Sequence, residues 1–142
     1  FKLIPFTKDY EIVLLYETCK GNFYRYLCSY ISNDIKTEII CKANQCYEKC
    51  RNIVENGVKT SSYSYRYFYL CYTIFLYEIL DKKIEAIKLA IKTVNICTNY
   101  TITFDEEYSI ELGVLYIIKG HIILWKEQMG IDDEELYEYN DT

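Results

Sequence analysis

Few side chains here could do chemistry, and the most pointed of them sit together in Lys20-Gly21-Asn22-Phe23-Tyr24-Arg25-Tyr26-Leu27. The 142 residues include three arginines, and Arg25 stands between two tyrosines inside what reads as a long helix. A guanidinium and a phenol at successive helical positions, Arg25 and Tyr26, can reach one phosphate together through forked N–H donors and an O–H.

Other chemistry is sparse. The only histidine, His121, lies in the apolar run KGHIILW, where it reads as a packed or groove-lining residue rather than a base. The seven cysteines are odd in number and form no CxxC pair. That fits neither a disulfide framework nor a zinc ribbon. Cys46 and Cys50, four apart on a helix, could supply two metal ligands, but a second pair is not apparent. They read as buried reduced thiols, which places the chain in the cytoplasm. Glu106-Glu107 suits the positive end of a helix dipole. Neither GxGxxG nor GxxxxGK[ST] occurs. The expectation is a non-enzyme with no catalytic residue, no metal and no cofactor. A net charge of −5 argues against nucleic acid as a partner. Apolar runs such as 67–77 and 112–118 are too short to cross a membrane.

The elements that must position these residues are helices. One proline and five glycines leave long stretches without breakers. The spacing predicts an all-α, antiparallel array of five helices, at about 9–32, 35–56, 63–80, 82–98 and 105–128. They form one domain over 1–130, and the acidic segment 131–142 reads as a flexible tail. In the first helix, Tyr16, Cys19, Phe23, Leu27 and Tyr30 are assigned to the core. Arg25, about 200° of helix from Phe23, then leaves from the opposite side. In the second, Ile39, Ala43, Cys46, Cys50, Ile53 and Val54 share a face, and Asn56-Gly57 ends it. The third is apolar or tyrosine nearly all round, as a central helix is. Ile84, Ile87, Ile91 and Val94 form the stripe of the fourth, and Thr103 with Glu106 makes a capping box for the fifth.

LLYETCKGNFYRYL, then TIFLYEIL, then a final helix ending HIILWKE occur in this order. Together they resemble the 14-3-3 family of phosphoserine/phosphothreonine-peptide adaptors, over nearly the whole chain from Leu3-Ile4-Pro5 to Trp125. The resemblance is to the last five helices of a nine-helix protomer. It implies that Arg25 and Tyr26 hold a peptide phosphate, and that Glu78 supports the basic cluster by orienting the Arg25 guanidinium. It implies a peptide groove lined by Leu70, Cys71, Ile74, Ile117, His121, Leu124 and Trp125. The spacing agrees: Leu70, Ile74 and Glu78 are four apart, and Gly113, Ile117, His121 and Leu124 make one stripe.

Departures from the family pattern imply a degenerate groove with weakened binding. Two further basic residues complete the family's phosphate pocket on an earlier helix that has no counterpart here. Two asparagines that bond the peptide backbone fall at Cys71 and His121, a lysine near the phosphate at Thr18, a glycine of the groove floor at Tyr67, and a leucine of its wall at Gly113. The family's dimer contact lies in helices that match nothing in this chain, so dimerisation is not expected of it. The expected partners are phosphorylated protein segments. The alternative is a non-catalytic scaffold that binds unphosphorylated partners in the altered groove.

Overall fold

The computed structural model describes residues 9–99 and 110–138, which form six helices and no strand. Helix α1 is Tyr10–Leu27, α2 is Asp34–Glu55, and α3 is Tyr63–Ile74, which runs on as a π-helical turn over Phe75–Ile79. Helix α4 is Lys83–Asn99, α5 is Ile110–Met129 and α6 is Asp133–Glu138. The all-α architecture therefore agrees with the sequence expectation. The Thr103–Glu106 capping box lies outside the described residues.

Local chemistry sets the boundaries. Asp9 caps α1, its carboxylate accepting from the backbone N–H groups of Glu11 at 3.0 Å and Ile12 at 3.4 Å. Ser62 caps α3 by accepting from Tyr65 N–H at 3.2 Å. The π turn shows in Leu80 N–H bonding to Phe75 O at 3.1 Å, and Lys82 N–H bonding six residues back to Leu76 O at 2.8 Å closes its end. Asp81 then reverses the chain with a φ of 56°. Gly130, at φ 61°, ends α5 in the left-handed conformation that glycine adopts without penalty.

Helix α3 is central, packed against α1, α2, α4 and α5, while α1 also packs along α2 and α4 along α5. Its aromatic surface makes the core: Phe68 stacks on Tyr72 at 5.5 Å, and Tyr47 of α2 meets Phe75 at 4.9 Å. The α2 stripe packs as expected, with Ala43, Cys46 and Cys50 buried and Ile53 and Val54 against the core.

Two expectations are corrected. The α1 face assignment is inverted: Phe23 is 60% exposed and Tyr30 86%, Cys19 is exposed, and Leu14, Glu17, Thr18, Asn22 and Arg25 turn inward. Of the polar side chains on that inward face, Thr18 bonds back through Oγ1 to Leu14 O at 2.8 Å and Asn22 joins the network described below, whereas Glu17 Oε2 and Arg25 Nε are buried without a hydrogen-bond partner. Nor is the segment after Gly130 a frayed tail throughout. Asp132 and Glu135 make a reciprocal capping box, at 2.8 and 3.2 Å, that starts α6, and Lys126 of α5 pairs with Asp133. Leu136 is fully buried in the core cluster.

Candidate functional site

Helix α1 delivers Arg25 and Tyr26 to a polar cluster shared with α2 and α3. Gly21 permits the approach, because a Cβ there would meet the Tyr47 ring at 2.8 Å. Tyr47 thereby reaches Asn22, its O–H donating to Oδ1 at 2.7 Å. The Asn22 amide in turn donates to Tyr67 OH at 3.1 Å and to the Cys71 Sγ at 3.2 Å. Arg25 lies beside this network with only 9% of its surface exposed, its guanidinium 4.7 Å from the centre of the Tyr26 ring.

The electrostatics follow from burial. Desolvation pulls the Arg25 pKa down, but the Tyr47 phenol, Cys71 and Tyr26 outweigh it and the net movement is up, so the side chain is a permanent cation. Burial pushes the Tyr47 phenol up, with Arg25 opposing. Burial also raises the Cys71 thiol, against the lowering effects of Asn22, Arg25 and Tyr67. Both groups are neutral at ordinary pH. Arg25 Nε is buried with no hydrogen-bond partner. An N–H of a buried cation without an acceptor is costly, and it marks where an anion would be most stabilised.

The second half of the site lies where the π turn meets α5. Trp125 is buried between two rings, stacked on Tyr77 at 4.4 Å and on His121 at 4.9 Å. Tyr77 O–H donates to Gln128 Oε1 at 3.0 Å. Desolvation lowers the His121 pKa and Glu78 opposes it, so the imidazole is neutral near pH 7. Its Nδ1 is buried and has no partner. Leu70 and Cys71 are buried, Ile74 is half-buried, and Ile117 and Leu124 are exposed on α5.

Among the residues expected to form the site, the structure brings Arg25, Tyr26 and Cys71 together, and His121 with Trp125 and Glu78. Arg25 and Glu78 form no ion pair among the described residues. Glu78 is exposed, and its electrostatic neighbour is His121. Glu78 lies within the π turn, where the ladder departs from the α-helical spacing that would line it up with Leu70 and Ile74. Sequence reasoning missed Asn22 and Tyr47 as members of the cluster. Gly21 in mid-helix was the available signal, because a buried glycine there marks a close approach.

Other chemistry is not assembled among the described residues. The seven cysteines are unbridged thiols, and among the described residues no three His, Cys, Asp or Glu side chains are placed to share a metal ion. No described helix is long and apolar enough to cross a membrane. An open cavity of about 680 Å³ lies where α5 meets α6, but its Lys126, Asp132, Asp133 and Glu135 are spent on the ion pair and the capping box.

The profile described as 14-3-3 protein matches residues 1–126. The chain belongs to the 14-3-3 family. It is similar to 14-3-3 protein I of Plasmodium falciparum (isolate 3D7), with 26% identity over 135 residues, 94% of this chain and 52% of that protein. The 14-3-3 protein homolog of Neospora caninum is 25% identical over 136 residues, 94% of this chain and 51% of its own length. 14-3-3-like protein 2 of Caenorhabditis elegans is 25% identical over 137 residues, 96% of this chain and 55% of that protein. The chain thus spans about half the length of these 14-3-3 relatives.

Proposed function

We propose that this chain is the phosphopeptide-holding part of a 14-3-3-type adaptor, with Arg25 and Tyr26 as its phosphate ligands. The carrying observation is the Arg25 guanidinium, buried beside Tyr26 with an Nε that lacks an acceptor. A phosphoserine or phosphothreonine oxygen supplies that acceptor as a charge-assisted bond. Leu70, Ile74, Ile117 and Leu124 provide apolar wall, with Trp125 packed behind His121. The groove is degenerate: the Cys71 thiol is a weak hydrogen-bonding group whose sulfur already accepts from Asn22, and neutral His121 offers one donor and one acceptor. Glu78 acts on His121 rather than holding Arg25. Five buried thiols support a reducing, cytoplasmic setting.

The test is a titration of the chain with one peptide in phosphorylated and unphosphorylated forms, repeated for Arg25→Ala. The parent should prefer the phosphorylated form on the order of ten- to a hundred-fold, the worth of a charge-assisted bond. Arg25→Ala should erase that preference at unchanged helix content. Equal preference in both proteins would refute the assignment. A second reading, a scaffold for unphosphorylated partners, draws on the inward withdrawal of Arg25 toward Tyr47. It predicts equal binding of both peptides by the parent.

A further inference from the structure

We propose that Tyr67 is a gate over Arg25, its phenol tied to Asn22 across the gap between α1 and α3 through which an anion would reach the guanidinium. This rests on the reading of Arg25 as an anion ligand and adds the residue that controls access to it.

The argument is geometric. Asn22 and Tyr26 are one turn apart on α1, Tyr67 and Cys71 are one turn apart on α3, and the Tyr67 phenol has both α1 residues as neighbours. The Asn22 amide bonds both α3 residues, Tyr67 OH and Cys71 Sγ, at 3.1 and 3.2 Å. Arg25 follows Asn22 by three residues and sits against Tyr26, Tyr47 and Cys71. Tyr47 and Cys71 are buried, so they wall the guanidinium on the inner side. Tyr67 is the half-exposed member, with Tyr26 among its electrostatic neighbours and its ring backed by Tyr63, stacked at 5.5 Å and nearly parallel. The ring is held from behind, and its hydroxyl is held only by neutral partners, the Asn22 amide and the Cys71 thiol.

These neutral contacts are the release. An anion that satisfies Arg25 Nε must displace Tyr67 from Asn22, and a neutral hydrogen bond yields to a charged acceptor. The Asn22 amide N–H thus freed lies one turn from Tyr26, where it can serve the same anion. Tyr67 therefore sets how much of the affinity of Arg25 is available to a ligand.

Arginine-selective modification of the full chain with phenylglyoxal, mapped by mass, tests the gate without any peptide. The half-exposed Arg51 serves as the internal reference and the buried Arg66 as the negative one. Tyr67→Phe, which keeps the ring and removes its anchor, should raise the Arg25-to-Arg51 rate ratio on the order of three- to ten-fold. Tyr67→Ala should raise it further. Should the alanine variant lose helicity by circular dichroism, the phenylalanine variant alone decides. A ratio unchanged in Tyr67→Phe overturns the gate, whatever the peptides do. A raised ratio, with phosphorylated and unphosphorylated peptides bound equally by every variant, keeps the gate and removes the adaptor reading instead.

Discussion

Gly21→Ala puts a number on the close approach that builds the Arg25 cluster. The added methyl would lie 2.8, 3.0 and 3.1 Å from Cε1, Cζ and Cδ1 of Tyr47, all well inside van der Waals contact. The ring cannot retreat. It is fully buried, boxed by Phe75 at 4.9 Å, Tyr72 at 5.7 Å and Phe68 at 6.4 Å, and its hydroxyl is tied to Asn22 at 2.7 Å. Forcing a methyl into a packed core costs about 1–3 kcal/mol. Alanine at a helix-interior glycine returns about 1 kcal/mol, so the net loss is about 0–2 kcal/mol. A sharper quantity is the coupling with Tyr47. In a Tyr47→Leu background the obstruction is gone, and Gly21→Ala should become stabilising by up to about 1 kcal/mol, a change of sign. Urea unfolding of the four proteins gives the cycle, with an expected coupling of about 1–3 kcal/mol. If Gly21→Ala stabilises the parent by the same amount as the Tyr47→Leu protein, the two residues do not touch and the account of the cluster fails.

His121 and Leu136 give two further outcomes. The folded-state pKa of His121 lies below the ordinary 6.5, so the unfolded chain takes up the proton first. The neutral imidazole's contribution to stability is complete above about 6.5 and is lost as pH falls through the window below it. His121→Asn should therefore flatten the acid side of a urea-midpoint profile between about pH 7 and 5; identical profiles for the two proteins would contradict this. Leu136→Ala should cost about 2–5 kcal/mol, because the side chain is fully buried in the core cluster. A loss below about 0.5 kcal/mol, within the surface range, would mean that α6 opens independently of the body.

The helices were legible and one of their faces was not. With a single proline and few glycines, the period of apolar residues located α1 to α5, and the stripe of α2 was assigned correctly because it has one apolar face. Helix α1 carries two usable faces. Its tyrosine- and phenylalanine-rich side looks like core, yet the side with Glu17, Thr18, Asn22 and Arg25 is the one turned inward. Hydrophobic period identifies an amphipathic helix, but it cannot show that polar side chains will find partners on a neighbouring helix. Arg25 was found through its neighbour Tyr26 and the family resemblance, whereas Asn22 and Tyr47 depend on pairings 25 and 45 residues apart in sequence. The π turn left no mark on the periodicity, so the α-helical spacing assumed for Glu78 did not hold there. Helix α6 was hidden by its acidity, although its capping box and the lone Leu136 are local signals.

The stack at Trp125 makes this protein its own optical instrument. It holds the chain's single tryptophan, so its emission comes from one address. One neighbour in the stack, the imidazole of His121, can change charge, and an imidazolium quenches indole fluorescence more strongly than a neutral ring does. Acid titration should therefore dim the protein as His121 takes up its proton, before any unfolding. A peptide that satisfies the buried Nδ1 should shift that dimming along the pH axis, so occupancy of the α5 wall can be read with no label attached.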